Sequence, residues 1–230
     1  MTFNPLFEDA LSSGRFGPYR AMAAGDDHAW ALYQWNKELS SAAVFLACDL
    51  EVTLRNTIHT QLGVLFKRPD WWASPELRLD DETRRMLGQA TSKRASPGRV
   101  VSDLMFGSWV YLVGTGGRTA LGEVLDYEKN LWRPALRFGF ATGELNPRGQ
   151  PRRPTRDHVY SRAANFKKLR NRMSHHEPIH NGIVTPGGGP RISLVDVWNG
   201  GLELLGWMNP DLAQLHASQN LIPDLYACRP

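Results

Sequence analysis

From His28 to Phe66 the chain contains no proline, and its single glycine, Gly63, lies close to the end of the stretch. Apolar residues recur through it at Trp30, Tyr33, Leu39, Ala42, Ala43, Leu46, Leu50, Leu54, Ile58, Leu62 and Leu65, the spacing of one helical face. This predicts one long helix, or two that meet near Cys48-Asp49. A stripe that long must be covered by other elements, and no segment of the chain alternates with period two. The cover is therefore expected to be helical, which makes the fold class all-α.

The remaining segments follow from their punctuation. Asp80-Asp81-Glu82 puts acids at the positive end of a helix expected to run to about Lys93. Ala95-Ser96-Pro97-Gly98 breaks it. A helix over about 98–106 follows, then a hydrophobic one after Gly107-Ser108-Trp109. Helical pattern returns over about 122–133 and again near Arg137. Residues 143–156, with three prolines and four arginines, are expected to form a mobile basic loop. A helix from about Asp157 to His175 is closed by Pro178. Thr185 to Pro190 is a second loop. It precedes a helix over about 192–207 and a short one after Asn209-Pro210-Asp211. The implied organisation is an irregular lead over 1–27, a helical domain over 28–207, and a C-terminal extension over 208–230 that packs on it.

Charge is distributed unevenly. The formal net charge is +4, but from Arg133 to Arg172 eleven basic residues face only Glu144 and Asp157, a local excess of +9. A basic block of this kind suggests a polyanion such as RNA, with Arg152, Arg153, Arg156, Lys167 and Lys168 as candidate phosphate contacts. A solvated face is the alternative. Cys48 and Cys228 form neither a zinc spacing nor a disulfide framework, so a reduced, cytoplasmic setting is expected. The N-terminus lacks the basic and apolar regions of a signal peptide, and no apolar run is long enough to span a bilayer.

The end of the basic block carries the chemistry. Leu169-Arg170-Asn171-Arg172-Met173-Ser174-His175-His176-Glu177-Pro178 places a fork-shaped, permanently charged phosphate binder close to two imidazoles that exchange protons near neutral pH. RNA supplies its own nucleophile in the 2′-OH. A cut without metal needs that hydroxyl deprotonated, the phosphate charge stabilised and the 5′-oxygen protonated. On an ideal helix Asn171 and His175 share a face, and Arg172 and His176 form a neighbouring pair. Arg170 and His175 are five apart, roughly 140° around the axis. They meet only through the long arginine side chain, through a helix ending near Ser174, or across a two-fold dimer. A structural reading is that Arg170 and Asn171 satisfy a helix end while His175 packs. A metal reading rests on the i, i+4 spacing of His176 and His180, but Pro178 lies between them and no HExxH pattern is present. No metal site and no cofactor is therefore expected. Glu51 and Arg55, four apart, are either an intrahelical ion pair or groups supporting the Arg-His segment. The eight tryptophans are expected in the core or at an interface rather than stacking on bases.

Four segments resemble the Abi-like (abortive infection) proteins of the HEPN superfamily, and their order is the same. They are Tyr33-Gln34-Trp35-Asn36, Glu51-Val52-Thr53-Leu54-Arg55-Asn56-Thr57-Ile58, Asp103-Leu104-Met105-Phe106-Gly107-Ser108-Trp109, and Arg170-Asn171-x3-His175. The similarity covers roughly residues 28 to 207. It implies a HEPN-like helical bundle, here with extra helices and basic loops. It also implies a metal-independent endoribonuclease acting as a toxin or phage-defence effector, whose site forms between two protomers. RNA, a second copy of the chain and an antitoxin, either protein or RNA, are the implied partners. Arg170 would hold the phosphate, Asn171 would orient it, and His175 would move the proton. His176, Arg172, Glu51 and Arg55 are additional or supporting candidates. A non-catalytic RNA-binding or regulatory module is the alternative. His176-Glu177-Pro178 and the Gly-rich stretch after Val184 depart from the family pattern.

Overall fold

The computed structural model describes residues 3–4, 6–91, 96–141, 144–145, 151–185 and 187–230. It is mostly helical. The expected long helix is a single element, α3, spanning Asp26–Phe66, with Asp26 and Asp27 in its first turn. Leu32, Leu39, Ala43, Leu46, Leu50, Leu54, Ile58 and Leu62 line its buried face, each fully removed from solvent. Lys67 closes it in the left-handed conformation, with its N–H returned to the last turn.

Residues 1–27 are not wholly irregular. Helices α1 (Leu6–Leu11) and α2 (Ser13–Arg20) precede α3. Phe16 and Tyr19, three apart on α2, are buried against Trp30 and Tyr33 of α3, with Phe3 stacked on Phe16. Gly14, Gly17 and Pro18 mask this helix in the sequence, because all three are poor helix formers. Their aromatic neighbours supply the burial that overrides propensity.

Helices α4 (Asp81–Thr91), α5 (Pro97–Asp103) and α6 (Phe106–Leu112) follow close to expectation. The expected end of α4 near Lys93 lies outside the described residues. The helix expected over 122–133 does not form. Gly122 takes a positive φ of 81°, Arg118 and Val124 make an antiparallel bridge, and only one π-helical turn, Glu128–Trp132, remains. A 3-10 turn over Leu136–Gly139 leads to strand β1 (Glu144–Leu145), which pairs with β2 (Pro151–Arg152) across residues not described.

Helix α7 (Arg156–Ser174) opens on Thr155, whose hydroxyl accepts the His158 N–H. The hairpin β3 (Ile183–Val184) and β4 (Arg191–Ile192) comes next, so residues 191 and 192 are strand rather than the start of the next helix. Helix α8 (Leu194–Met208) is capped by Ser193, and α9 (Pro210–Ser218) by Asn209. A last helix, α10 (Ile222–Ala227), packs on α3, where the Trp35 Nε1–H donates to the Leu225 carbonyl at 2.6 Å.

Helices α3, α7 and α8 pack against one another at the centre of the fold. Gly201 permits this approach: a Cβ there would fall 2.4 Å from the Phe166 ring, with Leu46 also within reach. Among the described residues no helix is long and apolar enough to cross a membrane.

Candidate functional site

Helix α7 carries the Arg-Asn-x3-His segment, and its last turn is closed by a six-residue cap. The His175 N–H still bonds to Asn171 at 2.9 Å. The His176 N–H then returns to Met173 and the Glu177 N–H to Arg172, at 3.0 and 2.8 Å. That is the Schellman pattern, which puts a left-handed residue at the first position past the cap. Here the position is His176, at φ 56°. Glycine is the usual occupant; a side chain with a Cβ costs about 1 kcal/mol there. Both His175 and His176 are exposed. The helix therefore ends at Ser174, one of the three arrangements through which Arg170 and His175 can act together.

Beside the apolar face that packs α7 into the core, a carboxylate on α3 engages the motif end of the helix. Glu51 lies 3.3 Å from Arg170 Nε through one oxygen and 3.7 Å from Arg55 Nη2 through the other. The two arginines thus share one half-buried counter-charge, and three of the candidate residues come together. Arg55 Nε is buried with no hydrogen-bond acceptor among the described residues. The cluster therefore holds more donor capacity than Glu51 consumes. Asn171 is exposed on the same outer stretch of α7. One turn earlier, Lys167 lies with its ammonium 5.1 Å from the Tyr111 ring centroid. Burial, and then Lys168, draws the Lys167 pKa below its usual value. Gly107 faces the Lys167 stem, so the Phe106-Gly107-Ser108-Trp109 segment packs beside this part of α7.

The turn after the motif is anchored by the last residue of the Tyr33-Gln34-Trp35-Asn36 segment, which is not among the expected site residues. Asn36, buried on α3, accepts the Ile179 N–H at 2.7 Å and the His180 N–H at 3.3 Å through Oδ1. The same oxygen faces His180 Nδ1 at 3.2 Å. Its signal was present: Asn36 occupies the buried stripe between Leu32 and Leu39, and a buried amide is almost always paired. His180 is enclosed by Tyr19 and Trp35. Burial, with Arg229 and Arg172 adding to it, pushes its pKa down to about 4. His180 is thus a neutral structural imidazole packed into the fold. Among the described residues no group of three His, Cys, Asp or Glu side chains is placed to hold a metal ion.

The basic block is not one free surface. Arg156 is buried, donating to the Val113 carbonyl and pairing with Glu128 and Asp157. Arg153 donates to the Arg137 and Phe140 carbonyls. Lys168 donates to Val184 and Arg172 to Gly182, both gripping the hairpin that follows the motif. Glu177 lies 3.6 Å from Arg172 Nε. The side chain of Arg152, and all of Arg148, lie outside the described residues. Seven of the tryptophans are buried and Trp72 is partly so, in keeping with a core role. Asn171, His175 and His176 are exposed at the motif end of α7, with Arg170 and Lys167 partly exposed beside them.

Comparison of the chain with protein-family models, with curated proteins and with solved structures gave no match in any of the three.

Proposed function

We propose that the chain is a metal-independent endoribonuclease of the HEPN type, acting as a toxin or phage-defence effector, that cuts RNA by attack of the 2′-OH on the adjacent phosphate. The observation that carries this reading is the Glu51–Arg55–Arg170 cluster. It joins residues of two segments 115 or more positions apart in the chain, and Asn171 and His175 are exposed at the end of the same helix. In this reading Arg170 neutralises the non-bridging oxygens, Asn171 orients them, and His175 exchanges the proton. A second copy of the chain, facing the first across a two-fold axis, supplies the other imidazole, so that one acts as base and one as acid. Arg55, with its spare Nε–H, supports the charge that develops on phosphorus.

The test is incubation of wild type and His175→Ala with total RNA in EDTA, followed by end-group analysis. Cleavage by wild type alone, leaving 2′,3′-cyclic phosphate ends, is expected. Equal cleavage by both proteins refutes the assignment. The ion pair that already engages Arg170 favours a second reading, in which the chain binds RNA without cutting it. Retarded RNA with no cyclic-phosphate product supports that one.

A further inference from the structure

Helix α2, Arg172 of α7 and the post-motif turn line a cleft of about 570 Å³. Arg15, Arg172, Arg191 and Glu177 supply its charges, and Ser12 and Asn181 add neutral polar groups. Three guanidinium groups therefore face a single carboxylate. Arg172 is largely covered: Nη1 is spent on the Gly182 carbonyl, and Nε has no hydrogen-bond acceptor among the described residues. Arg191 spends one amino group on the Asn181 carbonyl, which fixes it at the rim. Arg15 is exposed on the first turns of α2. Like charges brought together with unspent N–H donors are costly unless an anion joins them. The similar-sized cleft beside Gly114–Gly117 carries no such surplus, with Asp80, Asp81 and Glu82 set against Arg85 and Arg118 in its wall.

We propose that the Arg15–Arg172–Arg191 cleft is a phosphomonoester-binding site, built to take a terminal phosphate group. The surplus of two positive charges matches a monoester, which carries close to two negative charges at neutral pH. A diester, with one, leaves part of the surplus unmatched. Guanidinium forks suit the tetrahedral oxygens in a way that ammonium groups do not. Two sources present this chemistry, the phosphorylated end of an RNA strand and a free mononucleotide. The strand-end source rests on the RNA reading above, whereas the phosphate preference rests on the cleft alone. Arg172 and Glu177 belong to the α7 cap that contains His175 and His176. A phosphate seated here therefore places the following nucleotides beside the motif.

The experiment compares a 5′-phosphorylated 2′-O-methyl hexanucleotide with its 5′-hydroxyl counterpart, neither of which offers a 2′-OH to be attacked. Binding is measured to wild type, Arg15→Glu and Arg191→Glu, with AMP as competitor and thermal melting as the folding check. Arg15→Glu acts on an exposed side chain and keeps the test valid if Arg191→Glu disturbs the hairpin. The expected result is that the phosphorylated strand binds wild type about tenfold more tightly than the hydroxyl strand. That preference should vanish in Arg15→Glu, and AMP should compete. AMP binding that Arg15→Glu removes, with neither strand bound, upholds the phosphate site for free nucleotides and counts against the RNA reading. Equal binding of both strands to all three proteins, with no competition by AMP, overturns the proposal and leaves the cleavage reading untouched.

Discussion

Replacing Asn36 with alanine should loosen the end of the motif without touching any motif residue. The side chain is 4% exposed, and its single oxygen receives the Ile179 and His180 N–H groups, both on buried residues. Truncation leaves two donors without a partner. Each such loss costs about 1–3 kcal/mol, and a water entering the space left by the amide recovers part of it. A net destabilisation of about 2–4 kcal/mol follows. For a chain of this size that lowers Tm by roughly 5–15 °C. Lys37→Ala, on the exposed face of the same helix, should change stability by less than about 0.5 kcal/mol. Thermal melting followed by circular dichroism gives the magnitude, and hydrogen exchange at the Ile179 and His180 amides gives the location. A loss of Tm under about 2 °C, with both amides still protected, would show that Asn36 is not the anchor.

His176→Gly should stabilise the protein by about 1 kcal/mol, because it relieves the left-handed histidine in the α7 cap; melting curves measure this. The same variant separates the two imidazoles: retained RNA cleavage assigns proton transfer to His175. Glu51→Gln should free both arginines from their shared carboxylate, keeping RNA affinity but slowing cleavage at least about tenfold if Glu51 holds Arg170 in place. Filter binding and single-turnover cleavage read the two effects, and unchanged cleavage would make the ion pair purely structural. His180 should make the fold sensitive to acid. Its folded pKa is about 4 against 6.5 unfolded, so it is neutral in both states above pH 6.5. Between 6.5 and 4 only the unfolded chain takes up the proton, and stability falls as pH falls, by about 3 kcal/mol in all. Urea unfolding across that window should show this slope in wild type and lose about one proton of it in His180→Gln.

The sequence is most legible where a single period runs uninterrupted. Helices α3 and α7 end within a few residues of their expected limits because hydrophobic spacing, caps and Pro178 all agree. It is least legible where long-range burial overrides local preference. Phe16 and Tyr19 hold α2 helical through Gly17 and Pro18, and nothing local to that segment identifies Trp30 and Tyr33 as their partners. Gly122 works in the other direction. Read as a tolerable interruption of a helical pattern, it adopts a positive φ and turns the chain into a bridge. The site divides in the same way. Glu51, Arg55 and Arg170 stand out by residue type, whereas a count of charges cannot show that Arg153, Arg156 and Lys168 are occupied by carbonyl oxygens of the protein itself.

The anchoring of the motif to α3 also fixes when the site comes into being. Asn36 and Ile179 are 143 residues apart in the chain, so the ordered α7 cap is available only after that whole span has been made. At the usual pace of translation that interval is on the order of ten seconds. During it α3 is completed, and Asn36 waits for the Ile179 and His180 N–H groups that it will accept. The α7 cap is on this account ordered late, with the closing of a long loop.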